Sequence, residues 1–202
     1  MLRSICLILV AAVLFPVTMT AQEQKPIPGD VLRDGTLSFF GRASLGNFVG
    51  STTMVSGAIV GGRDNSETRG WVEAPVATLD SKNARRDRDL RATMEVDKYP
   101  TMRFELDRAS IVRVASGSAD STIVVLHGTL TLHGVTKRVD VPGTVNVSDD
   151  VVHVSSTFPL DVRDYRVGGL KKLFGLLRMD PEINVTVDLH FTRAASTATT
   201  GR

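Results

Sequence analysis

The chain has 202 residues, with 24 Lys and Arg against 22 Asp and Glu and a formal net charge of +2 whose signs are interspersed. That balance gives no support to a nucleic-acid or acidic-surface partner. The one cysteine, Cys6, lies in an apolar N-terminal stretch; without that stretch the chain has no thiol, and disulfide frameworks, thiolate nucleophiles and cysteine-bound metals are excluded together.

In chain order the first element is a leader. Arg3 precedes an apolar run from Ile5 to Phe15, about eleven residues, which is the length of a signal-peptide core and short of the roughly twenty needed to span a bilayer. Residues 1–21 are expected to be a cleaved signal peptide, with the cut near Thr20-Ala21-Gln22 and the mature protein periplasmic or secreted. Cys6 comes too early to be the lipid-modified cysteine of a lipoprotein. Residues 22–34, containing Pro26, Pro28 and Gly29, have no apolar period and read as a tether. The residues after the leader, about 180 in all, suffice for one core that stands without covalent staples.

The body of the chain, 35–193, repeats one pattern. Strands are expected over Thr36 to Ala43, Phe48 to Val60 and Arg69 to Leu79, and then Met102, Phe104 and Leu106 alternate with polar neighbours. The period continues through Val139, Val141, Val145 and Val147, through Val152, Val154, Phe158 and Leu160, and through Ile183, Val185, Val187, Leu189 and Phe191. Strands that are apolar on one side only belong to antiparallel sheets. About eight of them in a meander leave two edges, which a barrel closes. Two segments break the period. Asp80-Ser81 is expected to cap a helix through Ala84, Asp87, Leu90 and Met94, with Arg85 and Asp89 paired, that stops before Tyr99-Pro100. Leu170, Leu173, Phe174 and Leu177 fall at i, i+3, i+4 and i+7 and predict a second short helix. The fold class is therefore all-β with one or two short helices. The Ser, Thr, Ala and Gly of the tail, 194–202, predict disorder.

Four blocks stand in a recurring order: Leu37-Ser38-Phe39 with Phe48-Val49-Gly50 and Ser56-Gly57-Ala58-Ile59; Asn83 to Leu90; Lys98-Tyr99-Pro100-Thr101-Met102-Arg103-Phe104; and Gly128-Thr129-Leu130-Thr131-Leu132-His133-Gly134-Val135-Thr136-Lys137. In these the chain, from about Gly35 to Arg193, resembles the YceI-like family. The resemblance implies an exported, antiparallel, lipocalin-like barrel of about eight strands that binds polyisoprenoid or another long-chain lipid, with no cofactor. Two stretches depart from the family pattern. Met94-Glu95-Val96-Asp97 stands where paired aromatics are common, and the Leu-rich segment Gly169 to Met179 replaces a short glycine-containing turn.

An eight-stranded barrel is near the width at which the interior either fills or holds one small ligand. If it is hollow, as the resemblance implies, Phe39, Phe48, Met102, Phe104, Phe158, Leu160, Val185 and Leu189 are the candidate lining. Selection would then be by length and bulk. Leu170, Leu173, Phe174 and Leu177 either plug one end or form a lid that admits a lipid tail, with Lys171 and Lys172 meeting an anionic head group or a membrane surface in passing. The oligomeric state stays open, a dimer included. No catalytic residue is assigned: no Gly-x-Ser-x-Gly elbow or phosphate loop is present, and no metal is expected because His127, His133, His153 and His190 lack helical ligand spacing. His133 reads as a turn residue whose ring bonds local backbone, and His153 and His190 as outward-facing. The rivals are a solid barrel acting as a protein interaction module and a His-dependent enzyme or metal-binding protein.

Overall fold

The computed structural model describes residues 29–44, 46–61, 68–114, 121–148, 150–168, 171–172 and 177–193. The expected leader, the tether up to residue 28, the tail and the side chains of Leu170, Leu173, Phe174 and Leu177 lie outside the described part. In chain order the elements are β1 (Asp30–Gly41), β2 (Phe48–Thr52), β3 (Ser56–Val60), β4 (Arg69–Pro75), α1 (Ala84–Thr93), β5 (Thr101–Val114), β6 (Ser121–Leu132), β7 (Val135–Ser148), β8 (Val151–Asp161), β9 (Lys171–Lys172), β10 (Leu177–Arg178) and β11 (Glu182–Arg193). Turns of 3-10 helix occupy Val76–Thr78 and Val162–Tyr165.

The sheet runs β11-β8-β7-β6-β5-β4-β3-β1 and closes by pairing β11 with β1, from Asp30 opposite Arg193 to Phe40 opposite Asn184. All of its described pairings are antiparallel. The expected single strand Phe48 to Val60 is interrupted between Thr52 and Ser56, yet both halves lie along β1 in one register: the step of seven positions from Asp30 to Leu37 matches the step of seven from Ile59 back to Thr52. With these halves counted as one, eight strands form the barrel.

Several expected boundaries move, each for a local reason. Asp30 to Asp34, read as tether, are the start of β1; their alternation is hidden by a register shift against β11 between Leu32 and Asp34. Arg69 to Leu79 is strand only to Pro75, since a residue without an N–H ends the ladder and the chain tightens into a 3-10 turn. The helix cap is Asn83 rather than Asp80-Ser81. Lys82 adopts φ 59°, a left-handed conformation that breaks the run, and the Asn83 side chain accepts from the Arg85 and Arg86 N–H groups at 3.1 Å. Where a helix is expected on Leu170, Leu173, Phe174 and Leu177, the described residues of the segment pair as strands instead, with Lys171 opposite Arg178 and Lys172 opposite Leu177, and residues 173–176 lie outside the described part. A two-turn helix is marginal by itself, and a cross-strand ladder satisfies its backbone instead.

The β6–β7 connection is a two-residue turn in which His133 and Gly134 have φ 50° and 71°. Positive φ at both positions is the mirror-type turn that matches strand twist. A Cβ on Gly134 would stand 2.3 Å from Cε1 of Tyr99, so the Tyr99-Pro100 and His133-Gly134 blocks are in direct contact.

Candidate functional site

The barrel is hollow. A cavity of about 430 Å³ lies inside it, lined by the inward members of nearly every strand; the size falls within the roughly 300–1,000 Å³ of small-molecule sites. Of the candidate lining, Phe39, Met102, Phe104, Phe158, Leu160, Val185 and Leu189 are in the wall. Phe48 is not. It starts β2 opposite Gly41, whose missing side chain leaves the space its ring fills, and it packs edge-on against Phe39 at 5.8 Å with the Arg86 guanidinium 4.6 Å over its face.

The wall also contains residues outside that candidate set. Val124, Leu126, Leu130 and Leu132 of β6 line it at even positions, a period readable in the sequence; Leu90 and Met94 of α1 reach it one helical turn apart. In β5 the inward set changes parity, from Met102, Phe104 and Leu106 to Ala109 and Ile111, because the register against β6 shifts between Leu106 and Arg108. A bulge of this kind flips the faces and has no composition signature.

The two ends of the cavity differ. At one, α1 and the 3-10 turns pack onto the barrel as one apolar cluster that includes Val76, Leu79, Met94, Val162, Tyr165 and Val167. Val167, just before the Leu-rich segment, and Met179, its last residue, line the cavity at this end, and Met179 bridges Ala43. At the other, Ile111 of β5 and Val147 of β7 line the cavity while remaining 44% and 36% exposed. Among the described residues the cavity therefore meets solvent there.

Buried polar bonds hold the closed end. The Asp87 carboxylate, on α1, is buried and accepts the Ser81 N–H at 3.0 Å and the Ser81 hydroxyl at 2.5 Å. Arg86 donates to Ser81 Oγ at 2.8 Å and to Ser81 O at 2.9 Å. Asp87→Ala leaves these donors shielded and short of an acceptor, each such group costing on the order of 1–3 kcal/mol. Urea unfolding of the variant is expected to show a loss in that range.

His133 is buried rather than solvated at its turn. Its Nδ1 lies 3.2 Å from the Tyr165 carbonyl, a bond to distant rather than local backbone, and its ring meets Tyr99 edge-on at 4.7 Å. The Tyr165 hydroxyl is enclosed with no hydrogen-bond partner among the described residues, and burial, with the Asp164 charge beside it, raises its pKa above the usual phenol value. On the outer wall His127 has Nδ1 2.7 Å from Asp140 and Nε2 3.0 Å from Ser110 Oγ, which also accepts from Arg108 at 3.1 Å. His153 and His190 face outward as expected, stacked on each other at 4.5 Å.

These features have parallels. Three solved structures share the fold: a polyisoprenoid binding domain from Saccharophagus degradans (TM-score 0.68, 18% identity, 83% of this chain and 100% of that one), BcnA of Burkholderia cenocepacia (0.63, 16%, 77% and 95%), and the YCEI protein of Campylobacter jejuni (0.55, 17%, 69% and 81%). No curated protein matches by sequence. The model of the YceI-like domain matches residues 33–191, a span that contains nearly all of the closed barrel, its α1 cap and the His133-Gly134 turn. The chain thus belongs to the YceI-like family.

Proposed function

We propose that this protein is an exported carrier or store for one long-chain apolar lipid, such as a polyisoprenoid, an isoprenoid quinone or a fatty-acid derivative, held inside the barrel. The carrying observation is the cavity itself, lined mostly by apolar side chains from Leu132 and Met94 at the closed end to Ile111 and Val147 at the open one, with Glu73, Arg103, Thr122 and Ser156 among the fewer polar ones. A hydrocarbon chain offers no hydrogen bonds and needs only dry contact; at roughly 0.8 kcal/mol per buried methylene, ten of them supply about 8 kcal/mol before ordering costs are subtracted. The polyisoprenoid binding domain with the same fold is in keeping with such a guest. Export rests on the N-terminal apolar run. Exposed Val31 and Val112, at the same end of the barrel as Ile111 and Val147, support loading by brief contact with a membrane surface. No catalytic group is needed.

Native mass spectrometry of protein purified from its own host tests this. The expected spectrum carries an added mass of lipid size that disappears on organic extraction and returns on incubation with the extract. A spectrum of bare polypeptide, together with no uptake by the extracted protein, would overturn the reading.

One arrangement favours an enzyme instead: Ser110, His127 and Asp140 are bonded in the order of a nucleophile relay. Ser110 lies on the outer wall, so a chain held inside the barrel does not reach it. Labelling of Ser110 by a fluorophosphonate probe, lost in Ser110→Ala, would transfer the assignment to this relay.

A further inference from the structure

On the outer wall, where β11 closes the barrel between β1 and β8, the register sets Asp34 opposite His190 and His190 opposite His153. Asp188 precedes His190 by two residues on β11 and so shares its face. One donor atom from each of His153, Asp188 and His190 falls within 4.8 Å of the other two. From this cluster we infer a binding site for a borderline divalent cation, zinc or a first-row neighbour, with His153, Asp188 and His190 as its protein ligands.

The spacings fit such an ion. His153 Nε2 stands 3.1 Å from Asp188 Oδ2, and His190 Nε2 stands 3.9 Å from Asp188 Oδ1. Donors about 2.0–2.2 Å from a tetrahedral zinc are separated by ~3.4 Å, between those two values. The 3.9 Å contact is too long to be a hydrogen bond, whereas the 3.1 Å contact is one in the ion-free protein, and the two rings lie stacked and nearly parallel; an ion would replace that bond and turn one ring until both lone pairs meet it. The fourth position is left to water or an outside ligand.

The remaining ring atoms support the assignment. His190 Nδ1 lies 2.8 Å from Asp34 Oδ1, and Arg33 pairs with the other oxygen of that carboxylate. A carboxylate that accepts a hydrogen bond from one ring N–H leaves the lone pair of the other nitrogen free for a metal, and outer partners of this kind accompany most ligating histidines. Opposite His153 on β7, Asn146 keeps Oδ1 shielded from solvent with no hydrogen-bond partner among the described residues, an acceptor next in the same row. Imidazole and carboxylate together suit zinc, nickel or copper better than magnesium or calcium. A bound ion would tie the strand nearest the C-terminus to its neighbour β8.

Isothermal titration of the tag-free protein with zinc chloride tests the site. One zinc per chain is expected, with His153→Gln, His190→Gln and Asp188→Asn each weakening binding at least about tenfold. These side chains face outward, and melting without zinc checks that each variant stays folded. His127→Gln, on the neighbouring outer face, leaves the affinity unchanged. Zinc at a hundredfold excess over its Kd raises the Tm by roughly 5–10 °C in the parent and not in the His153→Gln variant. Absence of binding up to millimolar zinc, or binding that survives both histidine substitutions, overturns the site.

Discussion

Val124→Phe and Val141→Phe, introduced together, are expected to cut the lipid retained by the purified protein at least about tenfold while the barrel stays folded. Both valines are buried, on the adjacent strands β6 and β7, and both face the cavity. Tenfold corresponds to about 1.4 kcal/mol, which is less than the burial energy of two methylenes at roughly 0.8 kcal/mol each. Two benzyl groups occupy more room than two methylenes of a guest. Inserting rings into a packed core costs about 1–3 kcal/mol through forced rotamers; here they enter empty space, so a Tm near the parent's is expected. Extracted lipid, quantified by mass per mole of protein, is the measurement. A variant that folds and keeps a full complement of lipid would show that the guest is held elsewhere.

Tyr165 gives the second large effect, and its two substitutions separate packing from polarity. The side chain is 1% exposed, among the largest fully buried ones. Tyr165→Ala removes the ring from the closed-end cluster and is expected to cost about 3–5 kcal/mol, the range for deleting a buried aromatic. Tyr165→Phe removes only a hydroxyl that has no partner among the described residues. Taking away an unsatisfied polar group breaks no bond and relieves a desolvation cost, so this variant is expected to match or exceed the parent. Guanidinium unfolding followed by circular dichroism reads both. A Phe variant as weak as the Ala variant would mean that the hydroxyl has a partner.

The wall of the cavity is largely legible in the sequence because strand period two shows directly which residues share a face. Phe104, Phe158, Leu160 and Val185 follow from that period, and the structure puts each in the wall. The rest is set by register, which no single strand carries. The β5 bulge moves the inward set from Leu106 to Ala109. Ser110, His127 and Asp140 come from three strands and meet only because β6 pairs with both neighbours in this alignment. His153 and His190 read as outward from their own strands, but their stacking depends on one pairing of β8 with β11. The spacing of Leu170, Leu173, Phe174 and Leu177 misleads, since four residues on a 3.6 period over two turns do not exclude paired strands.

The unlike ends of the tunnel have a further consequence for whatever enters. Among the described residues, with α1 fixed by Asp87 and Ser81 at the bottom and solvent at Ile111 and Val147, the passage is a blind bore rather than a pipe. A guest with one polar extremity must go in tail foremost, and its head stays at the rim, where water solvates it. The bore then works as a depth gauge. Tails shorter than its length leave dry space at the bottom, and longer ones hold their heads proud of the rim, within reach of a second protein.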